Sequence, residues 1–339
     1  MIMKNNFFSI SIFSLSIVVL SIFFLEIILR IYDKNCYSIL PIYFDKEHSS
    51  LLKGDSFCVK YKGHPRSNYH TNKLGFRINI NNENISKKYL LIGDSQAMGY
   101  GINIEDHFLF RMLNKNTNSK LEIMAAPHND LKSMRAFTNN NVIKLNEYQK
   151  VYVMINLGMD IDRYIFGWQK NWNISNTHFE LKLSKLFRIY PYIKNIYLKL
   201  KKYHFTFRPA INPYLDFTNN NEVTILFNNI LFQYINFLED NRVEDYEFIL
   251  IAPAWYIDKK QIKKFKTYYS SSDYENLEKN YSFYKQNMKT QIANFKEILL
   301  KKNIINIFID DINLGKNDLF QVNNYHLSKI GHEEIAKDY

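Results

Sequence analysis

The chain has 339 residues, 46% of them hydrophobic, which is enough for one large domain or two modest ones with a proper core. Its formal net charge is +11, but the basic residues are spread along the whole chain, and no block of five or more like charges occurs. This distribution argues against a nucleic-acid-binding protein, which concentrates its charge on one face, and no nucleic acid partner is predicted.

The first predicted element is a membrane-spanning helix near the N-terminus. Residues 7–25 carry no charge, and the apolar sequence continues past Glu26, which is long enough to span a bilayer. Residues 29–32 offer no small-residue cleavage site, so residues 1–32 are predicted to be an uncleaved anchor rather than a signal peptide. The basic residues on its two sides are nearly balanced, so charge alone does not give its orientation.

Residues 33–87 are rich in polar residues and turn formers and are interpreted as a lead-in segment. Within it, the run Asn-Lys-Leu-Gly-Phe-Arg at 72–77 predicts a turn, since Gly75 tolerates the positive φ that a side chain resists. Both cysteines of the chain, Cys36 and Cys58, lie in this segment. They are compatible with a disulfide in an oxidising compartment and equally with two free buried thiols, and they predict no metal site.

From residue 88 onward, short apolar runs alternate with longer amphipathic stretches. The runs are rich in Ile, Leu and Val, as buried parallel strands are, and they cover 88–93, 120–125, 151–157, 247–252 and 304–309. The stretches between them have apolar residues at helical spacing, most clearly from Val223 to Leu238 and from Leu277 to Leu299. Residues 88–339 are therefore predicted to form a three-layer α/β/α sandwich around a five-stranded parallel sheet.

The stretch at about 163–221 departs from this alternation, because it is aromatic and basic and too long for an ordinary connection. It is predicted to be an inserted subdomain over the carboxyl edge of the sheet, where substrate specificity often resides. The densest basic cluster of the chain lies here, and a mild attraction of this cluster to anionic glycans or lipid headgroups stays open beside a solvated face. The cluster consists of Lys194, Lys199, Lys201 and Lys202.

The first apolar run leads directly into Gly93-Asp94-Ser95. A serine at the carboxyl end of a buried parallel strand lies at the crevice where α/β folds bind ligands. Its hydroxyl becomes a nucleophile when a neighbouring base takes its proton, and His326 is the candidate base. Asp94 is expected to hold the turn by accepting backbone N–H bonds. The pair of Ser95 and His326 predicts an acyl-transfer enzyme that needs no cofactor and no metal.

Several blocks stand in a particular order along the chain. They are the run at 72–77, the Gly-Asp-Ser turn, Gly-Tyr-Gly-Ile at 99–102, an apolar strand ending in Gly158, and Tyr-His-Leu-Ser-Lys-Ile-Gly-His at 325–332. In this order they resemble the SGNH/GDSL hydrolase superfamily, in particular its membrane-anchored bacterial members, and the resemblance covers about residues 70–339.

The resemblance implies a flavodoxin-like sheet and an ester hydrolase or O-acyltransferase. Ser95 would attack the ester carbonyl, and His326 would act as general base and then as acid for the leaving alcohol. It further implies a catalytic domain outside the cytoplasm, on the periplasmic side, that acts on an acylated carbohydrate or other acylated small molecule. The alternative, from another functional class, is a catalytically degenerate domain that binds a glycan or a protein partner without turnover.

Some supporting positions depart from the pattern of the superfamily. Family members place an aspartate three residues before the histidine, where this chain has Asn323, whose oxygen accepts from the imidazole but brings no negative charge. The resemblance implies oxyanion-hole positions at the Ser95 backbone N–H, at Asn129 and at Asp160. An ionised Asp160 would oppose a developing oxyanion.

Two explanations for Asp160 stay open. In the first, the loop is one residue shorter than in the family, so that Asp160 aligns with the family's aspartate and Asn156 or Asn129 donates to the oxyanion. In the second, Asp160 is protonated in a dry pocket. The missing charge near the imidazole could come instead from Asp311 or Asp318.

Three further histidines are candidates for lesser roles. His128 follows a predicted strand and could assist catalysis or bind substrate, although a loop histidine without a role is the commoner case. His332 is expected at the surface or in packing. His107 is expected at a helix start, with Asp106 or solvent as its partner.

Overall fold

The computed structural model describes residues 2–32, 36–37, 40–44, 49–60, 65–79, 87–114, 119–127, 129, 131–139, 143–157, 186–187, 189–190, 193, 197, 220–257, 262, 275, 278–309, 319–320 and 326–338. Some of the sequence-based predictions lie outside these residues. They concern most of the insertion at 163–221, including its lysine cluster, and also Gly158, His128, Asp160, Asp311, Asp318 and Asn323.

The chain begins with a long helix, α1 (Ile2–Tyr32). Its stretch Phe13–Ile31 has 19 residues, a mean hydropathy of 2.3 and no residue buried against the rest of the protein. Side chains that a soluble helix would bury are exposed here, such as Phe13 at 68% and Phe24 at 61%. By length and composition α1 is able to cross a membrane, a property that it shares with signal sequences.

Six short strands follow in the lead-in: β1 (Cys36–Tyr37), β2 (Ile42–Phe44), β3 (Ser49–Leu51), β4 (Ser56–Val59), β5 (Ser67–His70) and β6 (Arg77–Ile78). β1, β4 and β5 form one small sheet, and β2 pairs with β3. A disulfide joins Cys36 to Cys58, which are register partners in β1 and β4. Of the two alternatives for the cysteines, the structure therefore has the disulfide.

Beyond the lead-in, strands alternate with helices. The elements are β7 (Lys87–Gly93), α2 (Phe108–Asn114), β8 (Ser119–Ala125), α3 (Leu131–Asn139), β9 (Lys150–Asn156), α4 (Asn220–Asp240), β10 (Tyr246–Ile251), α5 (Ala254–Ile257), α6 (Tyr281–Lys301), β11 (Asn306–Ile309) and α7 (Lys329–Asp338). All five predicted strands are present, each with ends within two residues of the predicted ones.

The central sheet has six strands in the order β11-β10-β9-β7-β8-β6. Strands β7 to β11 run parallel to their neighbours, whereas β6 is antiparallel to β8. The sheet is therefore mixed, and the prediction of a purely parallel sheet of five strands is corrected. The additional strand comes from the lead-in, and its two residues are too few to give a periodic signal in the sequence.

The core lies between the sheet and its helices. The predicted apolar stripes are confirmed as the buried faces of α4 and α6, whose buried members include Phe227, Ile230, Leu231, Tyr234, Ile235, Leu238, Tyr284, Met288, Ile292, Phe295 and Leu299. The helices pack in two groups, α2 with α7, and α4 with both α3 and α6. Right-handed crossovers predict that these two groups cover opposite faces of the sheet, since β8 and β9 lie on opposite sides of β7.

Candidate active site

The Gly-Asp-Ser turn lies at the carboxyl end of β7, between β8 and β9. Gly93 has no room for a side chain, because a Cβ there would lie 2.5 Å from the Cβ of Ala97. Asp94 holds the turn as expected: its Oδ1 accepts the backbone N–H of Gln96 at 2.8 Å. The chain therefore turns sharply at Ser95, as a nucleophile at this edge of an α/β sheet requires.

His326 lies in the loop that precedes α7. The next residue, Leu327, forms an isolated antiparallel bridge with Phe320. The backbone N–H of Ser328 donates to the carbonyl oxygen of Leu319 at 2.9 Å. The backbone pairing of the two residues that follow His326 therefore fixes the position of this histidine.

Two contacts join the serine turn to the histidine loop. The backbone N–H of Leu327 donates to Oε1 of Gln96 at 3.2 Å, so the residue after His326 is bonded to the residue after Ser95. The ring of Tyr100 stacks on the imidazole of His326, with 4.6 Å between the ring centroids and 20° between the planes. The serine turn and the histidine loop, 231 positions apart in the chain, are therefore held side by side.

Gln96 and Tyr100 are site residues that sequence reasoning missed. The role of Gln96 depends on a loop that is distant in sequence, so no local pattern indicates it. A signal for Tyr100 does exist, because the glycines on both sides of it, Gly99 and Gly101, have φ values of 69° and 76°. Two glycines that bend the chain around one aromatic residue indicate that its ring is held in a particular direction.

Two predicted asparagines lie at the ends of the strands that flank β7. Asn129 follows β8, is 3% exposed, and donates its backbone N–H to the carbonyl oxygen of Ala126 at 3.1 Å. Asn156 ends β9, and its amide Nδ2 donates to Oδ2 of Asp94 at 3.4 Å. The amide of Asn156 therefore ties the neighbouring strand to the serine turn.

A buried arginine supports the loop that follows the serine. Arg77, on β6, is fully buried, and its guanidinium carbon lies 4.2 Å from the centre of the Tyr69 ring. Its two terminal nitrogens donate at 2.6 to 3.1 Å to the backbone carbonyls of Asn68, Met98, Gly99 and Ile102. Burial lowers the pKa of the guanidinium below its ordinary value. Arg77 thus connects the lead-in to the loop that carries Tyr100.

Two histidines pack beside this loop. His107 is buried, and its Nε2–H donates to the carbonyl oxygen of Ala97 at 2.9 Å, so the expectation of Asp106 or solvent as its partner is wrong. His332 is also buried, in packing rather than at the surface, and its Nδ1 accepts the backbone N–H of Phe108 at 3.2 Å. The two ring centroids lie 4.9 Å apart.

The candidate site is largely closed to solvent. Ser95 is 4% exposed and His326 is 7% exposed, and the half-buried ring of Tyr100 covers one face of the imidazole. A hydroxyl and an imidazole beside the carboxyl end of a parallel strand are the groups that nucleophilic acyl transfer needs. A substrate that approaches from the covered face has to displace the ring of Tyr100.

Neither a protein-family model nor a curated protein sequence matches this chain. The chain is similar in structure to a member of the lipolytic protein G-D-S-L family from Veillonella parvula, at 10% identity and a TM-score of 0.38, over 74% of this chain and 94% of that one. It is also similar to a catalytic mutant of an acetylxylan esterase from Geobacillus stearothermophilus, at 12% identity and a TM-score of 0.37, over 75% and 92% of the two chains. A third similar structure is TesA, at 8% identity and a TM-score of 0.31, over 74% and 95%.

Proposed function

We propose that this chain is a serine ester hydrolase or O-acyltransferase of the SGNH/GDSL type. Ser95 attacks the ester carbonyl while His326 takes its proton, and the imidazolium then returns that proton to the leaving alcohol. The acyl group remains on the serine oxygen until water or a sugar hydroxyl accepts it. The hydrogen bond from Leu327 to Gln96 carries the proposal, because it bonds the immediate neighbours of the two reacting residues to each other.

The proposed mechanism also needs groups that stabilise the oxyanion and orient the imidazole. The Ser95 backbone N–H is the first proposed oxyanion donor, and Asn129, buried at the end of the adjacent strand, is the second. Asp160 is proposed as a third position of the same hole, where it donates a hydrogen bond in its protonated form. Asn323 is proposed to orient the imidazole by accepting its ring N–H, without the negative charge of an aspartate.

The proposal extends to the fold. Taken in chain order, the parallel strands stand in the order 2-1-3-4-5, which is the flavodoxin-like arrangement. We infer a three-layer sandwich over 88–339, with 33–87 as the lead-in and 163–221 as an insertion. In such folds ligands bind outside the carboxyl ends of the strands, where Ser95 stands in this chain.

We further propose that α1 anchors the protein in a membrane and that the catalytic domain faces out of the cytoplasm. The exposed apolar surface of Phe13–Ile31 supports the anchor. The disulfide between Cys36 and Cys58, just past the end of α1, supports the outward orientation, since disulfides persist in oxidising compartments. An acylated carbohydrate outside the cytoplasm is the proposed substrate class.

The full-length protein is expected to react with an active-site-directed fluorophosphonate, because only an activated serine is phosphonylated. The Ser95→Ala variant should lose this labelling completely, and Ser133→Ala, which removes a buried hydroxyl from α3, should keep it. In-gel fluorescence with a fluorescent probe measures both. Absence of labelling in folded parent protein, or equal labelling of Ser95→Ala, would contradict the enzyme and favour a binding domain.

Replacing Asn323 with aspartate is expected to raise ester hydrolysis by at least about tenfold, because a carboxylate stabilises the imidazolium that forms in the reaction. In serine proteases the reverse change lowers the rate by about ten-thousandfold. Hydrolysis of a chromogenic acetyl ester measures the rate. Asn324→Asp is the matched control, since it adds the same charge one residue away, where the family has no aspartate. An equal effect of both variants would rule out a specific orienting role for position 323.

A further inference from the structure

A cluster of exposed apolar side chains lies in the stretch 186–197. Six of its residues are described, and four of them are large, apolar and about half exposed: Leu186 59%, Phe187 52%, Ile193 48% and Tyr197 51%. Outside α1, ten large apolar side chains are exposed in the described part of the chain, so this short stretch contains four of the ten. Such a concentration indicates a contact surface rather than the scattered apolar residues of an ordinary surface.

Part of this cluster is helical. Tyr190, Ile193 and Tyr197 are helical residues separated by three and four positions, the spacing of one helix face, and Leu186 and Phe187 precede them. The backbone N–H of Ile193 donates to the carbonyl oxygen of Ile189 at 3.1 Å, as in a helical turn. Ile189 itself is 8% exposed and faces the protein.

This stretch is bonded to the last turns of α1. One carboxylate oxygen of Glu26 accepts the Nε–H of Arg30 at 2.7 Å, and the other accepts the backbone N–H of Ile189 at 2.9 Å. Arg30 also donates to the carbonyl oxygen of Leu186. The only carboxylate of the apolar stretch Phe13–Ile31 thus has both its oxygens bonded, as a charge near lipid requires.

The position of Glu26 along α1 gives the depth of the bonded segment. The apolar sequence of α1 begins at residue 7 and ends at Ile31, which is long enough to cross the hydrocarbon core. Glu26 lies five residues from the end of that stretch, or about 8 Å along the helix axis. A segment bonded to Glu26 therefore lies at the boundary between headgroups and acyl chains, where amphipathic helices bury their apolar face by about 5–10 Å.

We propose that Leu186, Phe187, Ile193 and Tyr197 form a second membrane contact, which lies in the interface beside the end of α1 and inserts these four side chains into the lipid. The proposal rests on the anchoring role proposed above for α1. It gives the insertion a role besides substrate specificity, because two attachments restrict how the catalytic domain is oriented relative to the bilayer, whereas one helix leaves it free to rotate.

The charge of the surrounding sequence fits an anionic lipid surface. Residues 186–202 contain five basic residues and no acidic one. Basic residues close to a bilayer are attracted to its anionic headgroups. A protein partner would need an acidic face that complements these basic residues. A bilayer with anionic headgroups provides both an apolar and an anionic surface, and it does so at the depth where the bond to Glu26 holds this stretch.

The test uses the full-length protein in nanodiscs of phosphatidylcholine and phosphatidylglycerol. Both native cysteines form the disulfide, so a single introduced cysteine is the one thiol that a fluorophore labels. The labelled variants are Leu186→Cys and Ile193→Cys, with Phe24→Cys in α1 as the positive control and Ile225→Cys on α4 as a control of matched exposure, 58%. Lipids brominated near the headgroup or near the acyl terminus quench the label by depth.

We expect roughly twofold quenching at Leu186→Cys and Ile193→Cys with lipids brominated near the headgroup, weaker quenching with deeper bromine, and none at Ile225→Cys. Quenching at Phe24→Cys with none at 186 and 193 would overturn the inference while leaving the anchor intact. Absence of quenching at Phe24→Cys as well would overturn the anchor and this inference together. If this surface instead binds a protein partner or a second copy of the chain, the label at Phe24→Cys is quenched and the labels at 186 and 193 are not.

Discussion

The Arg77→Met variant is expected to lose about 3–5 kcal/mol of unfolding free energy, the largest loss that we expect from a single substitution in this chain. Methionine retains the apolar stem but leaves the place of the guanidinium empty, so lost packing adds to the effect. The loss comes mainly from the buried carbonyls of Met98 and Ile102, which lose their guanidinium donors; the Gly99 carbonyl still accepts from the Ile102 N–H, and the Asn68 carbonyl is only partly buried. Each buried acceptor without a partner costs about 1–3 kcal/mol, and the sum is reduced because the loop relaxes.

The same variant is expected to disturb the candidate site. Three of the four carbonyls belong to 98–102, the loop that carries Tyr100. When this loop is released, the ring of Tyr100 loses its fixed position over His326. Fluorophosphonate labelling of Ser95 should therefore change in Arg77→Met even under conditions where the protein is fully folded.

Urea unfolding of the full-length protein in nanodiscs, followed by tryptophan fluorescence, measures the stability effect. Arg66→Met is the matched control, since it removes the same charge from an exposed position of the lead-in and should cost less than about 0.5 kcal/mol. Arg77→Lys retains a cation but cannot bridge four carbonyls, so it should fall between Arg77→Met and the parent. A loss in Arg77→Met no greater than in Arg66→Met would show that the buried bonds contribute nothing net.

Arg77 also shows where sequence reasoning reaches its limit. The five long strands and the helices α4 and α6 were predictable, because their apolar residues repeat with the period of a strand or of a helix over many positions. An arginine, by contrast, is expected at the surface, and β6 is only two residues long. The burial of Arg77 depends on carbonyls from a loop beyond it in the chain, and no local pattern encodes that contact.

The residues of the candidate site also fall into two groups, those that local sequence predicts and those whose role depends on contacts distant in sequence. Ser95 was predictable because the apolar strand and the turn that position it are adjacent in sequence. His326 could be named as a candidate base from the sequence, but the contacts of its loop could not be, because Gln96 and Tyr100, which join that loop to the serine turn, have partners 226 or more positions away. Local sequence therefore predicts the strand that presents Ser95, while the contacts that hold the loop of His326 in place require the folded structure.

Acid is expected to destabilise this protein through two buried imidazoles. Burial, followed by the charge of Arg77, lowers the pKa of His107 from 6.5 to about 3, although its bond to Ala97 opposes the shift. Burial, followed by the charges of His107, Arg77, Arg111 and His326, lowers the pKa of His332 well below 6.5. Both rings are therefore neutral in the folded protein over a range of pH in which they are protonated in the unfolded chain.

The sign of the pH dependence follows from that difference. Below about pH 6.5 the unfolded chain binds protons that the folded protein excludes, so the free energy of unfolding falls by about 1.4 kcal/mol per pH unit for each histidine. The contribution is complete above pH 6.5 and is lost as the pH decreases toward about 3 for His107. Between about pH 6.5 and pH 4.5 His107 alone should remove about 2 kcal/mol, and His332 should act in the same direction.

Two isosteric replacements test this pH dependence without removing the hydrogen bonds. In His107→Gln the amide nitrogen takes the place of Nε2 and can donate to the Ala97 carbonyl; in His332→Asn the amide oxygen takes the place of Nδ1 and can accept from Phe108. The double variant should unfold in urea with a much smaller loss of stability between about pH 6.5 and 4.5. An unchanged slope in the double variant would assign the acid sensitivity to other groups.

The two largest predicted effects are coupled, because the charge of Arg77 helps to keep both imidazoles neutral. Removing that cation in Arg77→Met should raise the pKa of His107 toward its ordinary value and reduce the loss of stability in acid, even though the variant is less stable at neutral pH. The stability curves of the parent and of Arg77→Met should therefore converge as the pH falls below about 4.5 toward the folded-state pKa of His107, about 3. Parallel curves would mean that burial alone, without the cation, keeps the two histidines neutral.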